Sequence, residues 1–178
     1  MQKIAVVGGG LIGQGWATVF AQSGYKVAIY DPSEGVQKTI LDLIKQRIAD
    51  LISAELVKTA IGAEMLEKMT VVHSLEDAVD GAIYVQENGP EKLEIKKKLT
   101  SKLDKLASPD VPIGSSTSGI SASRYCEELN GRHRCLVVHP INPPHLIPAV
   151  EIVPSPWTKK SIVTKVDEIM RNCSRETI

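Results

Sequence analysis

The sequence predicts a doubly wound α/β domain with a mostly parallel sheet, and three observations carry that reading. A short apolar run, KIAVV at 3–7, leads at once into a glycine-rich turn and a helix-spaced segment. A second run, KVAIYD at 26–31, completes strand, turn, helix and strand within about thirty residues, which makes a right-handed parallel βαβ unit. Apolar strand-like runs then keep alternating with helical patterns as far as residue 153.

Each element follows from local pattern. KIAVV is apolar without alternation, as expected of a strand buried on both faces. Helical spacing runs from Leu11 to Gln22 and stops at Gly24. From Pro32 to Met69 only helical periodicity is present, so an inserted helical pair is expected over about 32–69. The alternation resumes with TVVH (70–73), a short helix SLEDAVDG, and AIYV (82–85). A helix over roughly 91–106, PIGSS (112–116), a helix from near Ser121 and CLVVH (135–139) follow. AVEIV (149–153) reads as a late edge strand, and the tail is helical over about 160–172 and then stops. The whole chain, 1–178, is expected to be one domain.

Bulk properties exclude several classes. Formal net charge is +0 and pI about 6.9, so nothing favours nucleic acid or an anionic membrane as partner. Cys126, Cys135 and Cys173 are an odd set without CxxC spacing, which fits reduced thiols in a cytoplasmic setting. With the first strand beginning at Lys3, no cleavable leader is expected, and the apolar stretch to Phe20 is interrupted by glycines and is not expected to span a membrane. No histidine pair has helical metal-ligand spacing, so no metal site is expected.

Two motifs carry chemistry. In Gly8-Gly9-Gly10-Leu11-Ile12-Gly13, Gly8 suits a tight turn, Gly10 lets backbone approach a pyrophosphate, and Gly13 permits close helix–strand packing. The phosphates would rest on the helix N-terminus. Asp31, at the end of the second strand, is placed to accept both ribose hydroxyls and to repel a 2′-phosphate, which selects NAD over NADP. The second motif, Gly114 to Gly119 (GSSTSG), lies at the C-terminal end of a strand, where sheet ligands bind. Two readings stand for it: a hydroxyl of Ser118 facing the cleft, or capping of the next helix by Ser118 or Ser121.

His139 ends a strand on the same rim, and an imidazole there is a candidate for taking a hydroxyl proton. Beyond a proline-rich loop, Glu151 is expected to accept the other ring N–H, as an orienting carboxylate does in a catalytic triad. His145 within that loop is a candidate pocket residue, His73 a capping or packing residue, and His133 a solvated one. The run Lys96-Lys97-Lys98 reads as a solvated helix face, and Trp16 and Trp157 as packing residues.

Four segments, VVGGGLIGQGWATVFAQSGYKVAIYD, QENGPEKLEIKKKL, SSTSGIS and HPINPPHLIPAVEIVP, together resemble the 3-hydroxyacyl-CoA dehydrogenase superfamily across essentially the whole chain. Within it, the histidine loop is similar to that of the lambda-crystallin and L-gulonate 3-dehydrogenase branch. The resemblance implies a Rossmann-type NAD domain and oxidation of a secondary alcohol β to a carboxyl or thioester carbonyl. By position it implies adenosine contacts from Leu11, Ile12 and Asp31, and a pair, Glu91 and Lys96, near ribose and nicotinamide. It likewise implies Ser118 and Asn142 on substrate oxygen, His139 as base and Glu151 as its partner. The loop reads HPINPP rather than HFFNP, which favours a small hydroxy acid over an acyl-CoA; Lys38 and Lys45 are candidate pantetheine-binding residues for an acyl-CoA enzyme and read equally well as ordinary surface lysines. A structural, crystallin-like or NAD-sensing role is the alternative of another class. The resemblance also implies a second, helical domain, absent from this chain, that completes a homodimer. The chain alone is then expected to bind NAD without turnover.

Overall fold

In the computed structural model, which describes residues 1–178, eight strands form one sheet: β1 (Lys3–Val7), β2 (Lys26–Tyr30), β3 (Met69–Val71), β4 (Ala82–Glu87), β5 (Ile113–Ser115), β6 (Cys135–Pro140), β7 (Ala149–Pro154) and β8 (Glu176–Thr177). Their spatial order is β3-β2-β1-β4-β5-β6-β7-β8. The first six are parallel, β7 is antiparallel to β6, and β8 runs parallel to β7. Strand order reverses between β1 and β4, the topological switch point at which open α/β sheets bind ligands.

Alternation along the strands divides two cores. Ile4 and Val6 of β1 join one buried cluster with Trp16, Phe20 and Ile44, whereas Ala5 and Val7 join the other with Leu103, Tyr125 and Cys126. The first face is covered by α1 (Leu11–Gln22), α2 (Glu34–Ser53), α3 (Thr59–Glu67) and α7 (Lys160–Asn172). The second is covered by α4 (Leu75–Val79), α5 (Leu93–Leu106) and α6 (Ala122–Cys126). No helix is long and apolar enough to cross a membrane.

The expected helical insertion is α2 and α3. Ser33 caps α2 by accepting from Val36 N–H, and Ile40, Ile44, Ile48 and Leu51 form its buried stripe at helical spacing. Gly62 lets α3 approach: a Cβ there would stand 2.7 Å from Ile52 Cδ1.

Two expectations fail at the far edge of the sheet. β7 is not an edge strand, and the tail does not end as a helix. After Ser174 (φ 55°) the chain turns back as β8 and adds to β7, with Glu176 N donating to Pro148 O at 2.8 Å and Ile178 N to Val150 O at 2.9 Å. A two-residue strand has too little pattern to be read from sequence; pairing with β7 creates it.

Candidate functional site

Strand register builds the rim. Tyr30, Val7, Glu87, Ser115 and Val137 are aligned across β2, β1, β4, β5 and β6. One residue further along each strand lie Asp31, Gly8, Asn88, Ser116 and Val138, and then comes His139. Residues remote in sequence thus share one edge because parallel pairing fixes where each strand ends.

The glycine turn behaves as its spacing predicts. Gly8 has φ +99°, which side chains rarely adopt, and donates to Tyr30 O at 2.8 Å. A Cβ on Gly13 would fall 1.9 Å from Gly8 O, so backbone itself forbids one. A Cβ on Gly10 would meet nothing within 4 Å, leaving that backbone open to a ligand at the start of α1. Leu11 is exposed beside it and Ile12 is partly buried against the core. Asp31 accepts from Gly9 N at 2.7 Å and Ser33 N at 2.9 Å, which fixes the carboxylate while leaving lone pairs free. Gly10, Tyr30, Asp31, Val36, Leu75 and Leu99 contribute to the lining of a cleft of about 1030 Å³. An apolar slot, an anchored carboxylate and an unobstructed helix start together fit the adenosine and pyrophosphate of a dinucleotide.

Beside the cleft, α5 carries Lys96 inward. Its side chain is 1% exposed, and Nζ lies 2.9 Å from Glu87 Oε2, itself 1% exposed. Nζ also donates to Ser115 Oγ at 3.3 Å and stands 3.8 Å from Glu91 Oε2. The solvated-face reading of the lysine run therefore holds for Lys97 and Lys98 and fails for Lys96. Glu91 receives Thr117 Oγ1–H, Gly119 N–H at 3.0 Å and Ser118 N–H at 3.2 Å, and so clasps the serine-rich turn. Burial by itself would raise the Glu91 carboxyl, but these hydrogen bonds and the Lys96 charge outweigh it and hold the group below its usual range.

Sequence reasoning missed a network beneath the turn. Ser116 Oγ donates to Asn88 Oδ1 at 2.7 Å and accepts from Gln86 Nε2 at 2.7 Å and Trp16 Nε1 at 3.1 Å. Gln86 Nε2 also donates to Val138 O at 3.1 Å. α1, β4, β5 and β6 are thereby tied together next to His139. The available signal was the polar pair Gln86 and Asn88 ending an apolar strand. Ser118 itself is exposed on the rim. Ser121 precedes α6 but makes no capping bond; its hydroxyl meets Ser123 Oγ at 3.0 Å instead.

His139 and Glu151 face each other as a cross-strand pair of β6 and β7, with Nδ1 2.6 Å from Glu151 Oε2. The antiparallel register makes this contact, and the loop between the strands permits it. That loop is braced by more than its prolines. Arg175 Nη1 donates to Pro144 O at 2.8 Å and Ile147 O at 3.3 Å, and Pro144 packs on Gly15, where a Cβ would come within 2.9 Å of its Cδ. Asn142 is exposed in the loop. His73 bonds Gln37 Oε1 at 2.8 Å, while His145 meets the Arg47 guanidinium with Nη1 3.0 Å from its Nδ1.

The cleft thus opens at the switch point beside the anchored Asp31 carboxylate, and the His139–Glu151 pair stands further along the same sheet edge. The chain belongs to the 3-hydroxyacyl-CoA dehydrogenase NAD-binding domain family, which it matches over residues 3–178, and its cofactor is NAD. It is 37% identical over 176 residues to the lambda-crystallin homolog of Bos taurus, covering 98% of this chain and 55% of that one. It is 36% identical to L-carnitine dehydrogenase of Staphylococcus epidermidis, covering 99% of this chain and 54% of that one. Among solved structures, 3-hydroxybutyryl-CoA dehydrogenase of Escherichia coli K12 superposes with a TM-score of 0.94 at 26% identity, over 99% of this chain and 37% of that one. The chain spans about half the length of the curated relatives it matches.

Proposed function

We propose that this chain is the cofactor-binding part of an NAD-dependent dehydrogenase that oxidises the 3-hydroxyl of a small hydroxy acid. The hydrogen bond of 2.6 Å between His139 and Glu151 carries the reading. A carboxylate only accepts, so Nδ1 keeps its proton and Nε2 is left as the acceptor for a substrate hydroxyl proton. Glu151 holds the ring in that tautomer and stabilises the imidazolium that proton uptake forms. Bound NAD⁺ supplies the hydride acceptor. Ser118 and Asn142, both exposed at this rim, hydrogen-bond the substrate oxygens in this reading. Asp31 holds the adenosine ribose, with Gly8, Gly10, Gly13, Leu11 and Ile12 shaping the cofactor's bed. Glu91 orders the serine turn at the ribose and nicotinamide side, and Lys96, buried beneath it, acts as a positioning residue.

The HPINPP loop supports a free hydroxy acid over a thioester, as does likeness to an enzyme of L-carnitine, itself a 3-hydroxy acid. Presence of Ser118, His139 and Glu151 together argues against a purely structural role, because packing does not require that set. In the same reading a longer form is a cytoplasmic homodimer completed by a helical domain, and this chain alone binds NAD with little turnover.

Calorimetric titration with NAD⁺ and NADP⁺ tests the proposal. NAD⁺ is expected to bind more tightly than NADP⁺, and Asp31→Ala to weaken NAD⁺ roughly tenfold or more through loss of charge-assisted ribose bonds. Binding of neither nucleotide by the folded chain would sink it.

A further inference from the structure

Arg47 is a half-buried cation without an anion. It stands on α2 beside the buried stripe, at the junction of α2 with α1 and the histidine loop, and no carboxylate lies within 4 Å of it. Nη1 meets the His145 ring at 3.0 Å (Nδ1) and 3.3 Å (Nε2), and Nη2 donates to Gln14 Oε1 at 3.1 Å. Nε is shut off from solvent and has no partner. A guanidinium offers five N–H donors, and here both its partners are neutral. Asp50, one turn along α2, acts on it only at longer range and is itself engaged by Gln46 Nε2 at 2.9 Å.

The position gives this cation a use. Gln14 also donates to Gly9 O at 3.0 Å, so Arg47 is linked through one side chain to the glycine turn. Through the other it touches the loop between β6 and β7. It takes no part in lining the adenosine cleft. The planar fork of arginine matches a carboxylate in two-pronged fashion, and partial removal from water strengthens such a contact.

We propose that Arg47, with Gln14 and His145, forms an anion subsite that receives the carboxylate of the substrate and selects free hydroxy acids over their neutral esters and thioesters. The assignment rests on the hydroxy-acid dehydrogenase reading for its substrate and deepens it. A thioester carbonyl carries no charge and would leave the guanidinium unneutralised.

His145 offers a local readout. With imidazole nitrogens labelled with ¹⁵N and the His145 signals assigned by His145→Gln, the chain is titrated with 3-hydroxybutyrate, methyl 3-hydroxybutyrate and coenzyme A. The acid is expected to shift the His145 nitrogens saturably and to raise the pH at which that ring protonates, because it neutralises the adjacent cation. The ester should do neither. Arg47→Gln should abolish the response, and Arg47→Lys should weaken it roughly tenfold, since a point charge replaces the fork. An equal response to acid and ester would overturn the proposal, as would an acid response that survives in Arg47→Gln. A response to coenzyme A but not to the acid would also overturn it, assigning the subsite to a phosphate carrier. NAD⁺ binding on the same samples separates the two readings. If NAD⁺ binds and the acid leaves His145 unmoved, this inference alone falls. If the acid moves His145 and NAD⁺ does not bind, the subsite stands and the dehydrogenase reading falls.

Discussion

Partly removed from water and placed beside the Arg47 guanidinium, the His145 ring is pushed down to about 4 from its ordinary 6.5. The sign of its effect on stability follows. Above 6.5 the ring is neutral in folded and unfolded chains alike. As pH falls from 6.5 towards 4, the unfolded chain takes up a proton that the folded one refuses, so stability is lost across that window. Urea midpoints at about pH 7 and about pH 5 should therefore differ more for the wild-type chain than for His145→Gln. Equal differences would mean that the folded ring protonates freely. The proline loop named His145 as a pocket candidate, but its arginine partner stands 98 residues away, which no local pattern encodes.

At the scale of elements, α5 docks through an ion pair rather than an apolar stripe alone. Lys96, Thr100 and Leu103 are its buried positions, at helical spacing. That period is legible in the sequence, yet a run of three lysines masks it. Lys96→Met should destabilise the protein by about 3–5 kcal/mol, because it strands the buried Glu87 carboxylate without a counter-charge. Glu87→Gln combined with Lys96→Met should recover most of the loss, since it removes the orphaned charge as well. Urea unfolding of both variants checks this; a cost below about 1 kcal/mol for the single change would mean that water reaches the pair. The same register places the His139–Glu151 pair: strand ends are readable one by one, whereas their alignment across β6 and β7 is a property of the assembled sheet.

For the whole molecule, the cofactor is a folding ligand. The cleft is built from β1, β2, α2, α4 and α5, so unfolding destroys it and NAD stabilises by mass action. At a hundredfold excess over the dissociation constant the gain is about 2.7 kcal/mol. For a chain of this size that corresponds to a rise in Tm of about 5–11 °C. NADP⁺ at the same concentration should give a smaller rise, and Asp31→Ala should remove most of the NAD⁺ effect. A thermal scan in which NAD⁺ changes nothing would separate this cleft from cofactor binding.

Local pattern along the chain is enough to read the parallel strands, the inserted helical pair, the glycine turn with Asp31, and His139 and Glu151 as candidates. Each is a short-range pattern: an apolar run, a 3.6-residue period, glycines where side chains cannot fit, or an ionisable group at a strand end. Tertiary structure alone decided that Lys96 turns inward, that β8 extends the sheet past β7, that Ser116 joins four elements, and that Arg47 meets His145. Those outcomes depend on which distant surfaces come together and on how buried charges and backbone groups are then satisfied, which the chain settles only once it is folded.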